Sequence, residues 1–364
     1  MRIMNKHKKI GIVTWHYYGN FGSALQSYAS QEAIAKLGYS SEFVNYHNPK
    51  FGTPDKVKDL MRLISDIFLG QFNSRFRFGQ KSFAFRYLHQ GKLATDINHL
   101  AEIARNYDTI VCGSDQIWAP NVYNPVYFAS FARKRTRKVS YAASIGLNDI
   151  PDNLVPEYRR LLSDFHAVSV RENEGKELLL KKCGIESIVV LDPTLLHDAK
   201  VYEKLQRRVS GINGKYLFCY FLNENHQYRE RVERYARKHD LQIVGVSDNG
   251  DDSIWMKCFT KLGADHFIWL INHAEVVMTD SYHGSIFSLL FHKNFYTFVR
   301  FAENSPICQN SRIRQLQNYF GDNVRVIGQN DEIDENLSID YNQIEVRLKE
   351  LRESSMEFLK SALQ

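Results

Sequence analysis

The amino-acid sequence predicts an α/β protein built in two halves. Short apolar runs of strand length alternate with amphipathic runs of helical spacing along most of the chain. Several apolar runs end in clusters of polar, turn-forming residues. That is how strands of a parallel sheet deliver side chains to its carboxyl edge. The alternation breaks at Asp192-Pro193 and then restarts.

In chain order, Lys9–Trp15 reads as a buried strand, 16–22 (HYYGNFG) as a loop, and Ser23–Leu37 as an amphipathic helix ended by Gly38. Glu42–Tyr46 completes a βαβ unit. The loop lacks the G-x-G-x-x-G spacing of dinucleotide sites and the G-K-[ST] ending of a P-loop. Residues 51–89 interleave basic and aromatic side chains. They suit either surface helices packed on the first half or an amphipathic excursion over a cleft or at a membrane surface. Tyr107–Cys112, Lys138–Ala143, Ala167–Val170 and Ile188–Leu191 read as strands, and Asn173–Lys182 as a helix.

After the crossing stretch Asp192–Leu196, strands are expected at Lys215–Leu222, Leu241–Val246, Glu275–Thr279 and Asn294–Arg300. Helices are expected at His226–His239, Phe267–His273, Ile286–Phe291 and Asn310–Phe320, the last with Ser311 as its cap. Ile344–Leu363 reads as a polar amphipathic helix. The expected units are residues 1–191, 192–340 and a C-terminal helix in 341–364 that packs back on the first.

A chain of 364 residues can bury two sizeable cores. The net charge of +6 is too modest, without a recognised motif, for a nucleic-acid module, yet it permits anionic ligands. Five scattered cysteines, odd in number and without metal-ligand spacing, point to a reducing cytoplasm and to no metal site. The apolar run behind the basic N-terminus is too short for a signal segment, and no stretch of about 20 apolar residues is present to span a membrane.

Two strand ends gather the candidate chemistry. One is Val276–Phe291 (VVMTDSYHGSIFSLLF), which crowds Asp280, Ser281, Tyr282, His283 and Gly284 where a strand enters a helix. Backbone N–H groups at such a start favour anions, and a histidine there can exchange a proton. The other is 113–118 (GSDQIW). Ser114, Asp115 and Gln116 can serve sugar hydroxyls, and Trp118 either stacks on a sugar ring or fills the core. Asn20 and Gly22 open the first helix, where Asn20 serves the cleft or the turn. Arg171 offers a planar fork for phosphate or carboxylate, or else pairs with Glu172 or Glu174.

The opening GIVTWHYYGNFGSALQSYA, then VCGSDQIW, SYAASIG, SVRENEG, DPTLL, TDSYHGSIFSLLF and NSRI, in that order over roughly residues 10–320, resemble the polysaccharide pyruvyl transferase family. The resemblance implies a GT-B-like fold, two Rossmann-like domains facing across a cleft, with the acceptor on the first and the donor on the second. It also implies transfer of a pyruvyl group from phosphoenolpyruvate to a sugar as a ketal, without a cofactor, in surface polysaccharide biosynthesis. Arg171 and His283 match the family's donor-contacting arginine and histidine. Where many members carry Arg-Leu-His, this chain has Ser281, Tyr282 and His283, so that arginine is missing. Arg312, Arg300 or a lysine is expected to replace it, with Ser311 beside Arg312.

On this reading His283 is the general acid, and Asp115 or Asp280 deprotonates the acceptor or orients His283; Asp280 can equally be a helix cap. The acceptor is a sugar or a lipid-linked oligosaccharide, which would give residues 51–89 a role at the inner face of the membrane. Two other readings remain: a GT-B glycosyltransferase using a nucleotide sugar, and a non-catalytic sugar- or anion-binding partner.

Overall fold

The computed structural model describes residues 8–16, 20–46, 73–222, 225–246, 255–259, 262–302, 305 and 308–364. Of the segment 51–89, residues 51–72 lie outside the described residues, and so do residues 17–19 of the first loop. The expected membrane role of 51–89 therefore falls mostly outside them.

The first half opens with β1 (Lys9–Val13), α1 (Phe21–Lys36) and β2 (Ser40–Phe43). Helix α2 (Asn73–Tyr87), α3 (Ile97–Ile103), β3 (Thr109–Cys112) and β4 (Arg137–Ser140) follow. The four strands form one sheet in the order β2-β1-β3-β4, and every pair is parallel. Beyond them come α4 (Val155–Leu162), β5 (Ser169–Val170), α5 (Asn173–Leu178) and β6 (Ile188–Val189). Strands β5 and β6 pair in parallel, and single bridges from Val139 and Ala143 continue the first sheet towards them.

The second half runs through α6 (Ala199–Glu203), β7 (Tyr216–Tyr220), α7 (His226–Lys238), β8 (Gln242–Val246), β9 (Lys257–Phe259), α8 (Ala264–His273) and β10 (Val276–Thr279). It continues with α9 (Tyr282–Leu290), β11 (Asn294–Phe298), α10 (Ser311–Phe320), β12 (Val326–Ile327) and α11 (Tyr341–Leu363). Its sheet has the order β12-β11-β10-β7-β8-β9, again all parallel. Both central strands, β1 and β10, are apolar and buried on both faces, as helices on each side of a parallel sheet require.

The structure differs from the sequence expectations at the edges of elements. Several strands stop two or three residues early on the carboxyl side, and beyond β1, β7 and β11 the residues released, Trp15, Leu222 and Arg300, turn towards a cavity between the halves. Helix α9 begins at Tyr282 rather than Ile286, since Ser281 caps it, so His283 lies in its first turn. Ser311 is not a cap. It is the first helical residue of α10, and the preceding Asn310 makes no capping bond but donates its amide to the Phe301 carbonyl. Strands β9 and β12, three and two residues long, escaped detection.

Helix α1 is buried almost all round, since it lies between the two sheets. Its Phe21 stacks on Phe267 of α8 at 4.6 Å, and one apolar cluster runs from Ile10 and Ile12 through Phe21 to Phe218 and Val277. The C-terminal end of α11 returns to the first half. There Lys8 Nζ donates to the Gln364 carbonyl (3.0 Å), and the Leu191 N–H to Ser355 Oγ (3.0 Å). No helix among the described residues is long and apolar enough to cross a membrane.

Candidate active site

The carboxyl ends of β1, β3, β7, β10 and β11 surround a cavity of about 300 Å³. Trp15, Asn20, Ser23, Asp115 and Gln116 line it from the first half. Leu222, Ser281, Tyr282, His283, Arg300, Gln309 and Arg312 line it from the second. A larger groove of about 900 Å³ runs between α10 and α11 but holds none of these groups. The smaller cavity is the one with convergent chemistry.

His283 is fixed from two sides. Its Nε2 lies 3.5 Å from Asp192 Oδ2, which is ion-pair distance. Its Nδ1 edge packs against Gly22, where a Cβ would fall 2.1 Å from Nδ1. Only glycine at residue 22 lets the imidazole approach α1 so closely.

Asp192, fully buried, was read from sequence only as part of a crossing. One of its oxygens accepts from the Thr194 N–H (3.0 Å) and hydroxyl (2.6 Å). The other accepts from Arg171 Nη1 (2.8 Å) and Ser114 Oγ (3.3 Å) and faces His283. Burial alone would raise this carboxyl. The charges of His283 and Arg171 and the Thr194 hydroxyl outweigh burial and hold it well below the usual carboxylate range. One signal was available in sequence: Asp192 follows β6, where a strand end delivers polar groups like the others.

Arg171 does not line the cavity. It is 1% exposed, donates to Glu172 Oε1 (3.0 Å) and Asp192, and stacks behind Tyr282 with its guanidinium carbon 4.7 Å from the ring centre. This corrects the expectation of a direct donor contact, since the guanidinium lies off the cavity with Nε and Nη1 held by two buried carboxylates and Nη2 buried without a partner among the described residues. Glu172 is held in turn by the Ser144 hydroxyl (2.7 Å).

Several other expectations are also corrected. Asp280 caps no helix and has no free carboxylate. It accepts from the Leu222 N–H (2.8 Å) and from Arg300 Nε (3.1 Å), which ties the ends of β7, β10 and β11 together. Ser114 is buried and points at Ala142 O (2.9 Å) and Asp192, not at the cavity. Trp118 is core. It stacks on Phe128 at 5.3 Å, and its indole N–H donates to Tyr127 O. Gly284 is needed for packing, because a Cβ there would meet Thr279 Oγ1 at 2.7 Å. Ser311 does not line the cavity.

Asp115, in contrast, faces it. Its backbone is left-handed (φ 72°), which aspartate tolerates, and its carboxylate takes only neutral donors, Ser23 Oγ (2.5 Å) and the Gln116 N–H (2.8 Å). Asn20 lines the cavity and also caps α1, accepting from the Gly22 N–H at 2.8 Å. Gln116 reaches across the cleft and donates to Gln309 Oε1 (3.0 Å). The same oxygen accepts from Arg312 Nη2 (2.8 Å). The guanidinium carbon of Arg312 also lies near Tyr282, 5.9 Å from the ring centre. Among the described residues no group of three or more His, Cys, Asp or Glu side chains is placed to hold a metal ion.

Two parallel α/β halves with a polar cavity between their carboxyl edges define a GT-B-type protein. Solved structures agree on that fold. A putative UDP-N-acetylglucosamine 2-epimerase from Listeria monocytogenes is 12% identical with a TM-score of 0.51, over 97% of this chain and 90% of that one. The UDP-GlcNAc 2-epimerase from Neisseria meningitidis is 11% identical with a TM-score of 0.50, over 97% and 94%. At such identities the likeness is one of fold alone. No curated protein matches the sequence. The family model for polysaccharide pyruvyl transferase matches residues 20–300, and the chain belongs to that family.

Proposed function

We propose that the protein moves a pyruvyl group from phosphoenolpyruvate to two hydroxyls of a sugar, free or lipid-linked, as a ketal in a surface polysaccharide precursor. The observation that carries this reading is His283 on the cavity wall with Asp192 behind it. The donor's double bond needs a proton on its methylene carbon, and His283 supplies it as general acid. Carbon C2 becomes an oxocarbenium-like electrophile. One sugar hydroxyl adds to it, with Asp115 taking the hydroxyl proton, and then C–O cleavage releases phosphate and the second hydroxyl adds. Of the two hydroxyl protons, one replaces that given to the methyl group and the other leaves on phosphate, so the reaction needs no oxidant or cofactor.

Asp192 and Arg171 act from behind. The carboxylate fixes the imidazole edge, and the guanidinium fixes the carboxylate. Gln116 and Asn20 are the neutral groups suited to sugar hydroxyls. Five free cysteines suit a reducing, cytoplasmic setting. The test is phosphate release from phosphoenolpyruvate with a panel of galactosides, free and lipid-linked, with product masses recorded. Release with a mass gain equal to a pyruvyl ketal is expected. No release with any acceptor, together with thermal stabilisation by a nucleotide sugar, overturns the reading in favour of a glycosyltransferase.

A further inference from the structure

A donor with a phosphate and a carboxylate needs cations or free N–H groups, and the expected ones are taken. The Gly22 N–H is capped by Asn20 Oδ1 (2.8 Å), and the Gly284 N–H by Ser281 Oγ (3.3 Å). Neither helix start offers those donors to an anion. Arg171 is paired with Glu172 and Asp192 and lies off the cavity, so its one unpartnered nitrogen, Nη2, is not presented there. Arg300 reaches the cavity but is engaged by the Asp280 carboxylate and carbonyl (3.1 and 2.9 Å).

Arg312 differs. It lines the cavity, and its only hydrogen bond among the described residues goes to a neutral amide, Gln309 Oε1. Its Nε is buried and has no hydrogen-bond partner. No carboxylate pairs with it among the described residues, while Arg171 and Arg300 repel it. A partly buried guanidinium whose Nε is shut away from water and unpaired among the described residues is costly, and an incoming anionic oxygen group relieves that cost.

We infer that Arg312 is the cation of the cavity that receives an anionic oxygen group of the donor, a phosphate or a carboxylate. The inference rests on the functional reading above. It assigns to α10 the role that the family resemblance gives to the arginine two positions before His283, where this chain has Ser281. The fork geometry of arginine suits either group, and lysine in its place keeps the charge but loses the second hydrogen bond.

The test is calorimetric binding of phosphoenolpyruvate, inorganic phosphate and pyruvate to the full chain and to its Arg312→Gln and Arg312→Lys variants, with melting temperatures recorded. Arg312→Gln is expected to weaken phosphoenolpyruvate about ten- to a hundredfold, the loss of one or two charge-assisted bonds. Arg312→Lys should fall between it and the wild type. Whichever of phosphate or pyruvate loses affinity in parallel identifies the group Arg312 holds. Without anion, Arg312→Gln should melt at or above the wild type, because it removes an unpaired buried charge; an arginine with a structural role would lower it. Wild-type binding of phosphoenolpyruvate that Arg312→Gln leaves unchanged overturns this inference and leaves the functional reading intact. No binding of phosphoenolpyruvate to the wild type, with or without acceptor, overturns both.

Discussion

Two guanidiniums lie near the ring of Tyr282, and their surroundings are opposite. Around Arg171, burial opposes the charge but Glu172, Tyr282 and Asp192 more than compensate, so its pKa is raised above the ordinary arginine value. Around Arg312, burial and the charges of Arg171 and Arg300 act together, and Glu172 and Asp115 only partly offset them. Its pKa is lowered to about 10. A buried cation inside two carboxylates is framework. A cation held by one amide, on a cavity wall, gains from taking an anion. The resemblance gave Arg171 a donor contact and left Arg312 as a substitute for the missing arginine, and the side chains around each favour Arg312 for the contact.

The largest effect is expected from removing the imidazole that Asp192 and, behind it, Arg171 hold in place. His283→Ala should lower turnover about 10²- to 10⁴-fold, the usual worth of a positioned acid, with circular dichroism unchanged. Breaking the framework side comes next. Asp192→Asn leaves Arg171 with one buried carboxylate and should cost about 3–5 kcal/mol in urea unfolding. The depressed carboxyl of Asp192 also sets a sign. Its stabilisation is full above the ordinary carboxylate range and is lost as pH falls towards its lowered value, so acid unfolding should be flatter in Asp192→Asn.

A smaller effect is expected from the wall opposite Asp192. In Gly22→Ala the new methyl group occupies the place of the His283 edge, and a displaced imidazole should cost about 10²-fold in kcat with donor affinity little changed. On the Arg312 side, donor affinity should fall as pH rises through about 10, and this step should be absent in Arg312→Gln. The smallest effect is expected at Asp280. Asp280→Asn keeps an acceptor for the Leu222 N–H and loses only a charge pair, so kcat should stay within a few-fold of wild type. A collapse there would make Asp280 a catalytic residue after all.

Much of this was legible in the sequence, because period-2 and period-3.6 patterns and polar strand ends are local. The βαβ opening, the site strands β1, β3, β7, β10 and β11, and the presence of His283, Asp115, Gln116 and Asn20 at one edge all follow from such patterns. Pairing was not legible, because it depends on which strand ends meet. Asp280 and Asp115 look alike in sequence, yet one meets Arg300 and the other a serine hydroxyl. Trp118 reads equally as a stacking platform or as core until Phe128 and Phe165 are found around it. Asp192 reads as a turn residue, since neither Arg171 nor His283 is near it in sequence. Short edge strands such as β12 carry too few residues for any periodicity to appear.

The account turns on a proton passing from His283 to the donor's methylene carbon, and running the wild-type reaction in D₂O reads that step directly. One deuteron per product at the new methyl carbon, with product formation by His283→Ala slowed about 10²- to 10⁴-fold, is the expected result. A product whose methyl group carries no deuterium, or equal deuterium incorporation by His283→Ala at wild-type rate, would contradict it.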